Sequence, residues 1–152
     1  HCGDYNYFSF KGMRSKGNNE LHVTSTHYDD QIALDLVRGS QRTVAIHGCE
    51  GNESVAYIGG SDDRLIELIT ESLEDIGISV REAPHHISGT QENNIVNMTQ
   101  TQGGVQLELT AQLRKELFKN RKSSRKNREN KDNWDDLMYD FADAMKKAIE
   151  RA

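Results

Sequence analysis

The run Thr43-Val44-Ala45-Ile46-His47-Gly48 constrains the fold more than any other stretch of this chain. Three consecutive apolar residues, two of them β-branched, read as a short strand buried on both faces. The strand then ends on an imidazole and a glycine. In open α/β sheets, ligands collect outside the carboxyl ends of the strands. A histidine there, with Gly48 leaving room for close approach, suits a metal ligand or a general base. A histidine satisfied by its own neighbours is the other reading.

The rest of the chain supplies the layers such a strand needs. Residues 5–10 (YNYFSF) are aromatic-rich and read as a strand. Turn composition follows through Gly12, Gly17, Asn18 and Asn19. Residues 21–24 (LHVT) read as a second strand, with Leu21 and Val23 on one face and His22 and Thr24 on the other. Asp29 or Asp30 can cap a helix reaching about Val37, ended by Gly39. After the His47 strand, a loop over 49–54 leads to a strand over 55–58, closed by Gly59-Gly60. Ser61 caps a helix in which Leu65, Ile66, Leu68, Ile69, Leu73 and Ile76 recur at helical spacing, with Gly77 at its C-terminal stop. A short strand over 78–80 precedes a polar stretch, 81–103, long enough to be a binding loop. Its adjacent His85 and His86 diverge and make a poor metal clamp. Residues 104–109 (GVQLEL) alternate cleanly, and a helix runs from Thr110 to about Phe118. Trp134, Leu137, Met138, Phe141, Met145 and Ile149 form the apolar stripe of a last packing helix, 133–151. Strands alternating with helices predict an α/β fold of one domain, 1–152.

Charge is unevenly placed. Between Arg114 and Lys131 stand nine Lys/Arg against two Glu, a surplus of seven, which leaves −12 for the remainder of a chain whose net charge is −5. Such a block contacts a polyanion or forms a solvated connector over 119–131. No run approaches the ~20 apolar residues of a membrane span. No signal peptide is visible in this chain, so the expected location is cytoplasmic, or outside the cell after lysis. Two cysteines, Cys2 and Cys49, cannot build a disulfide framework.

Gln106 and Glu108 share one face of their strand, opposite Val105, Leu107 and Leu109. They mark either the wetted face of an edge strand or a carboxylate aimed into a cleft beside His47. Carboxylate plus histidine is the raw material of a zinc hydrolase, in which His holds the metal and Glu takes the proton from bound water.

An ordered set of motifs resembles the poly-γ-glutamate hydrolase family of phages and bacteria. It comprises FSFKG (8–12), LHVTSTHYD (21–29), AIHG (45–48), NIVN (94–97) and GVQLEL (104–109). The resemblance implies an open mixed β-sheet flanked by helices, as in zinc carboxypeptidases. It also implies cleavage of γ-amide bonds in poly-γ-glutamate, with zinc as cofactor. His47 matches the family's downstream histidine ligand, and Glu108 the glutamate in the general-base position. His22 and His27 match substrate-positioning sites, as do Asn94 and Asn97. The Asn-Ile-x-Asn stretch of the family continues to arginine, where this chain has Met98; Arg114 is the candidate to replace that grip on a substrate carboxylate.

The family's upstream His-Gly-Gly-x-Ile-Glu motif, which supplies the other two zinc ligands, is absent from these residues. His1-Cys2-Gly3-Asp4 does not reproduce it. An N-terminally truncated hydrolase, or an inactive degenerate homologue, is the expectation. The expected partner is the poly-γ-glutamate substrate, with no nucleic acid and no membrane. A non-catalytic polyanion-binding protein using residues 114–131 is the rival reading.

Overall fold

The structure is a computed structural model that describes residues 5–152 except 12 and 15. His1-Cys2-Gly3-Asp4 and Gly12 therefore lie outside the described residues. Four strands, β1 (Val44–Cys49), β2 (Val55–Gly60), β3 (Ser79–Glu82) and β4 (Val105–Thr110), form one sheet in the order β1-β4-β2-β3. The sheet is mixed. β1 runs parallel to β4, β4 antiparallel to β2, and β2 parallel to β3.

The register explains which residues are core. Residues opposite each other on neighbouring strands share a face, and faces alternate along each strand. One face presents Ala56, Ile58, Val105, Leu107 and Leu109 to α2 (Asp63–Asp75) and α4 (Asp136–Arg151). There Leu65, Leu68, Ile69 and Leu73 of α2 meet Phe141, Ala144, Met145 and Ala148 of α4, all buried. The other face carries the polar members of β4 and is covered by the segment 83–103. Backbone and side chains of that segment bind the sheet directly: Gly60 N donates to Ser88 O at 2.7 Å, and Gln106 Nε2 to Ile87 O at 3.1 Å. The cover lies so close over Gly59 that a Cβ there would sit 2.1 Å from Ser88 O. Glycine is required at 59 for that approach.

Each helix starts on an oxygen that satisfies a free backbone amide. Asp30 caps α1 (Gln31–Arg38) through Ala33 N, Asp62 caps α2 through Leu65 N, Thr110 caps α3 (Ala111–Glu116) through Leu113 N, and Asp135 caps α4 through Leu137 N. Asp62, and not Ser61, is the cap of α2. Ser61 Oγ instead donates to Asn97 Oδ1 at 2.7 Å.

Several expected elements are revised. β1 continues through His47 to Cys49, and it is an edge strand with Ile46 56% exposed. The strand buried on both faces is β4, flanked by β1 and β2. No strand forms over 5–10 or 21–24. The latter lies between two 3-10 turns, Asn18–Leu21, which ends on its first residue, and Ser25–His27. Aromatic and β-branched residues there have strand propensity but pair with no strand, and Tyr7, Phe10 and Val23 stay exposed. Trp134 lies outside α4. It closes the basic segment through a bridge to Phe118 and tilts against Tyr139, ring centroids 5.9 Å apart. No helix among the described residues is long and apolar enough to cross a membrane.

Candidate active site

His47 and Glu108 are direct register partners on β1 and β4. Their side chains therefore leave the sheet side by side on the polar face, with Cβ atoms about 5 Å apart by strand geometry. The same register continues the row: Tyr57 of β2 opposes Glu108, and Arg81 of β3 opposes Tyr57. A histidine, a carboxylate, a phenol and a guanidinium thus cross the sheet abreast.

Burial shifts the two central groups in opposite directions. Glu108 is only 8% exposed, and loss of water raises its pKa. Three neighbours partly offset that: the positive charge of Arg114, a hydrogen bond from Gln106, and the charge of His22. The bond is Gln106 Nε2 to Glu108 Oε1, 3.4 Å. The His47 pKa is lowered, first by burial and then by His22. His47 is accordingly neutral near pH 7 and keeps a ring lone pair for a proton or a metal. Cys49, one pleat further along β1, has a raised pKa, chiefly from burial and the Glu108 charge, and so stays a protonated thiol.

The remaining sequence candidates fall into two groups. His22 stands within electrostatic reach of both His47 and Glu108, and it is exposed. Arg114, on α3, braces the ends of two strands, with Nε donating to Leu109 O at 3.1 Å and Nη2 to Cys49 O at 3.0 Å. His27, Asn94 and Asn97 are engaged within the protein. His27 Nδ1 pairs with Thr24 Oγ1 at 2.9 Å. Asn94, 4% exposed, donates to Gln106 Oε1 at 3.2 Å and accepts from Val96 N at 3.1 Å. Asn97, 5% exposed, donates to Gly89 O and Gln91 O and accepts from Ser61 Oγ. Both asparagines organise the covering segment, and Asn94 acts on the site through Gln106. The chain of contacts Asn94–Gln106–Glu108 holds the carboxylate from behind.

Tyr57 and the orienting role of Gln106 do not stand out in the sequence. Tyr57 reads as an ordinary strand aromatic until the antiparallel register sets it against Glu108. Among the described residues, no three His, Cys, Asp or Glu side chains converge as a metal cluster would require.

An open mixed sheet flanked by helices on this plan is a zinc-carboxypeptidase-like fold, and solved structures agree with it. A bacteriophage poly-γ-glutamate hydrolase superposes with a TM-score of 0.86 at 32% identity, over 93% of this chain and 67% of that one. YndL, in a zinc-free apo form, superposes with a TM-score of 0.84 at 28% identity, over 92% of this chain and 68% of that one. The profile of the poly-γ-glutamate hydrolase family matches residues 1–144, and the chain belongs to that family. Among curated relatives, the SPbeta prophage-derived UPF0714 protein YoqZ of Bacillus subtilis (strain 168) is 36% identical over 116 residues, 75% of this chain and 42% of that protein. The UPF0714 protein YmaC of the same strain is 31% identical, over 97% of this chain and 62% of that protein. The chain thus spans between 42% and 62% of the length of these two relatives.

Proposed function

We propose that this chain carries the general base and one metal-ligand position of a zinc-dependent hydrolase that cleaves γ-glutamyl amide bonds in poly-γ-glutamate. The observation that supports it most is the register pairing of neutral His47 with buried Glu108. A catalytic zinc takes three protein ligands and keeps one position open. The described residues alone do not fit that requirement, since they bring no three donors together.

The residues present have roles of their own beside such a metal. Glu108 is a carboxylate whose proton affinity burial has raised, which makes it a stronger base than a solvated glutamate. It takes a proton from the attacking water and passes it to the leaving amine. Gln106 fixes the carboxylate's orientation by donating to Oε1. His47 offers its lone pair on the same face. Arg114 places positive charge beside the cleft, where a substrate carboxylate would sit, and His22 stands at its edge.

The test is incubation of the chain with poly-γ-glutamate and zinc, with polymer length followed by gel filtration and new amines counted chemically. Shortening that disappears in Glu108→Gln supports the reading. Polymer that is bound but never shortened, with no zinc retained, favours the rival, a non-catalytic polyanion-binding protein acting through residues 114–131. The specific observation behind that rival is the exposed basic segment itself.

A further inference from the structure

Residues 119–131, the part of the basic segment beyond α3, have no part in the chemistry above, yet their placement relates them to the site. The segment begins where α3 ends. Six residues of helix separate the C-terminal end of β4 from it, a rise of about 9 Å at ~1.5 Å per residue. A bridge between Phe118 and Trp134 closes its two ends. From the other side it is held by the N-terminal segment that leads to His22. Arg125 donates to Met13 O and Arg14 O at 2.9 and 2.8 Å, and Lys11 pairs with Glu129 at 3.2 Å.

Those contacts engage some of the cations and leave others open. Arg121, Lys122, Lys126 and Arg128 are exposed, and among the described residues their side chains meet no carboxylate. Asn120 and Arg121 both adopt left-handed backbone, φ 53° and 57°. Two successive non-glycine residues there are costly, and such strain persists where surrounding structure enforces it. Beside the loop lies a hollow of about 270 Å³ lined by Phe10, Lys11, Met13, Arg125, Arg128 and Glu129. Of the aromatics beside the loop, Phe10 is exposed and lines the hollow, while Trp134 is engaged within the protein. Its ring lies under Lys131, 5.5 Å from the ammonium, and its Nε1 donates to Arg128 O.

Resting on the proposed hydrolase reading, we propose that residues 119–131 form an exosite for the distal carboxylates of the polymer. Poly-γ-glutamate carries one carboxylate per residue, while the chain outside 114–131 carries −12. A polyanion is repelled by that body and focused onto the one block of opposite sign. Extended α-peptide advances ~3.4 Å per residue, so about three residues span the length of α3. A γ-linked chain, with two extra backbone carbons per residue, needs fewer. The exosite therefore discriminates by length, holding a polymer that reaches past α3 and not free glutamate.

The test is a binding titration of fluorescently labelled poly-γ-glutamate against the wild-type chain and against Arg121→Ala/Lys122→Ala/Lys126→Ala. All three substituted side chains are exposed, so folding is retained and is checked by circular dichroism. The expected result is an affinity loss of at least about tenfold, the lower end of electrostatic focusing. Wild-type binding should fall steeply toward ~1 M salt, where screening acts within about 3 Å. Unaltered polymer affinity in the triple variant overturns the exosite and leaves the hydrolase reading standing. Loss of polymer affinity in a chain that never hydrolyses keeps the exosite and removes the hydrolase. Preference for duplex DNA over poly-γ-glutamate at equal charge concentration overturns the substrate assignment.

Discussion

Replacement of Glu108 by Gln separates catalysis from stability more cleanly than any other change in this chain. The amide keeps the side chain's length and one acceptor oxygen, so the bond from Gln106 Nε2 can persist. Proton transfer is lost, and turnover should fall by roughly 10²–10⁴-fold, the usual worth of a positioned base. Stability should move the other way. Glu108 is buried with a raised pKa. Between the ordinary carboxylate range and that raised value, the folded state keeps a proton the unfolded chain has released. Stability contributed by Glu108 therefore declines as pH rises through this window and does not return above it. Each tenfold change in proton affinity is worth about 1.4 kcal/mol. The neutral amide removes that cost, so the variant should be as stable as the parent near pH 7, or more so.

His47 has the opposite sign. Its pKa is lowered by burial, so stability falls as pH drops from the ordinary histidine value through the depressed one. In the parent the two groups oppose each other on the acid side of neutrality. Glu108→Gln should therefore expose the His47 contribution as a steeper loss of melting temperature on acidification. His47→Gln should expose the Glu108 contribution, a gain of stability on acidification. The assay is thermal unfolding by circular dichroism between about pH 4 and 8. The reasoning is refuted if Glu108→Gln is destabilised near pH 7 by more than ~1 kcal/mol, which would mean that the carboxylate is held by favourable pairing. Full hydrolytic activity in that variant would place the base elsewhere.

Gln106→Met should leave Asn94 Nδ2 and Ile87 O without their partner and cost about 1–3 kcal/mol; it should also raise the Glu108 pKa further, read as an acid limb of the activity profile displaced to higher pH. Gly59→Ala drives a Cβ into Ser88 O and should destabilise by about 1–3 kcal/mol or prevent folding, measured by urea titration. Leu107→Ala, at a fully buried position of β4, should cost about 2–5 kcal/mol with the pH response of His47 retained. Zinc measured after dialysis should fall well short of one per chain, because the described residues offer no three converging donors; stoichiometric zinc would show that His22, or residues outside the described ones, complete the site.

The parts of this molecule legible in its sequence are those governed by local pattern. The helical spacing of Leu65, Leu68, Ile69 and Leu73 and the alternation of Val105, Leu107 and Leu109 report burial directly, because the core lies on one face of each element. The strands at 5–10 and 21–24 misread because their residue types favour extended chain whether or not a partner strand exists. Only tertiary packing decides that. β1 and β4 exchange their expected roles for a related reason. A run such as VAI signals apolarity, but neighbours on both edges decide whether a strand is central. Glu108 looked like a candidate for a wetted edge and is instead on a strand paired on both sides. Asn94 and Asn97 illustrate the limit for polar residues. Their side chains are satisfied by carbonyls and amides of the covering segment, and hydrogen-bond partners of that kind leave no periodic trace.

The electrostatic design of the site follows from one conflict. The proposed base is a carboxylate, the proposed substrate is a chain of carboxylates, and the chain outside 114–131 is acidic. Anions would therefore be driven from the place where they must react. Positive charge is needed nearby, but an ion pair on Glu108 itself would lower its pKa and weaken it as a base. The arrangement separates the two requirements. Burial acts first on Glu108 and raises its proton affinity, while Arg114 and His22 temper that rise without a direct ion pair to the carboxylate. Arg114 is tied instead to the carbonyls of Leu109 and Cys49. The larger positive reserve stands beyond α3, far enough along the chain to attract a polymer without neutralising the base. A substitution that brought a lysine against Glu108, such as Tyr57→Lys at the opposing position on β2, should therefore lower the pKa of the base. The acid limb of the activity profile should move to lower pH, and the rate on its plateau should fall. A plateau left unchanged would show that the proton affinity of Glu108 does not limit the reaction.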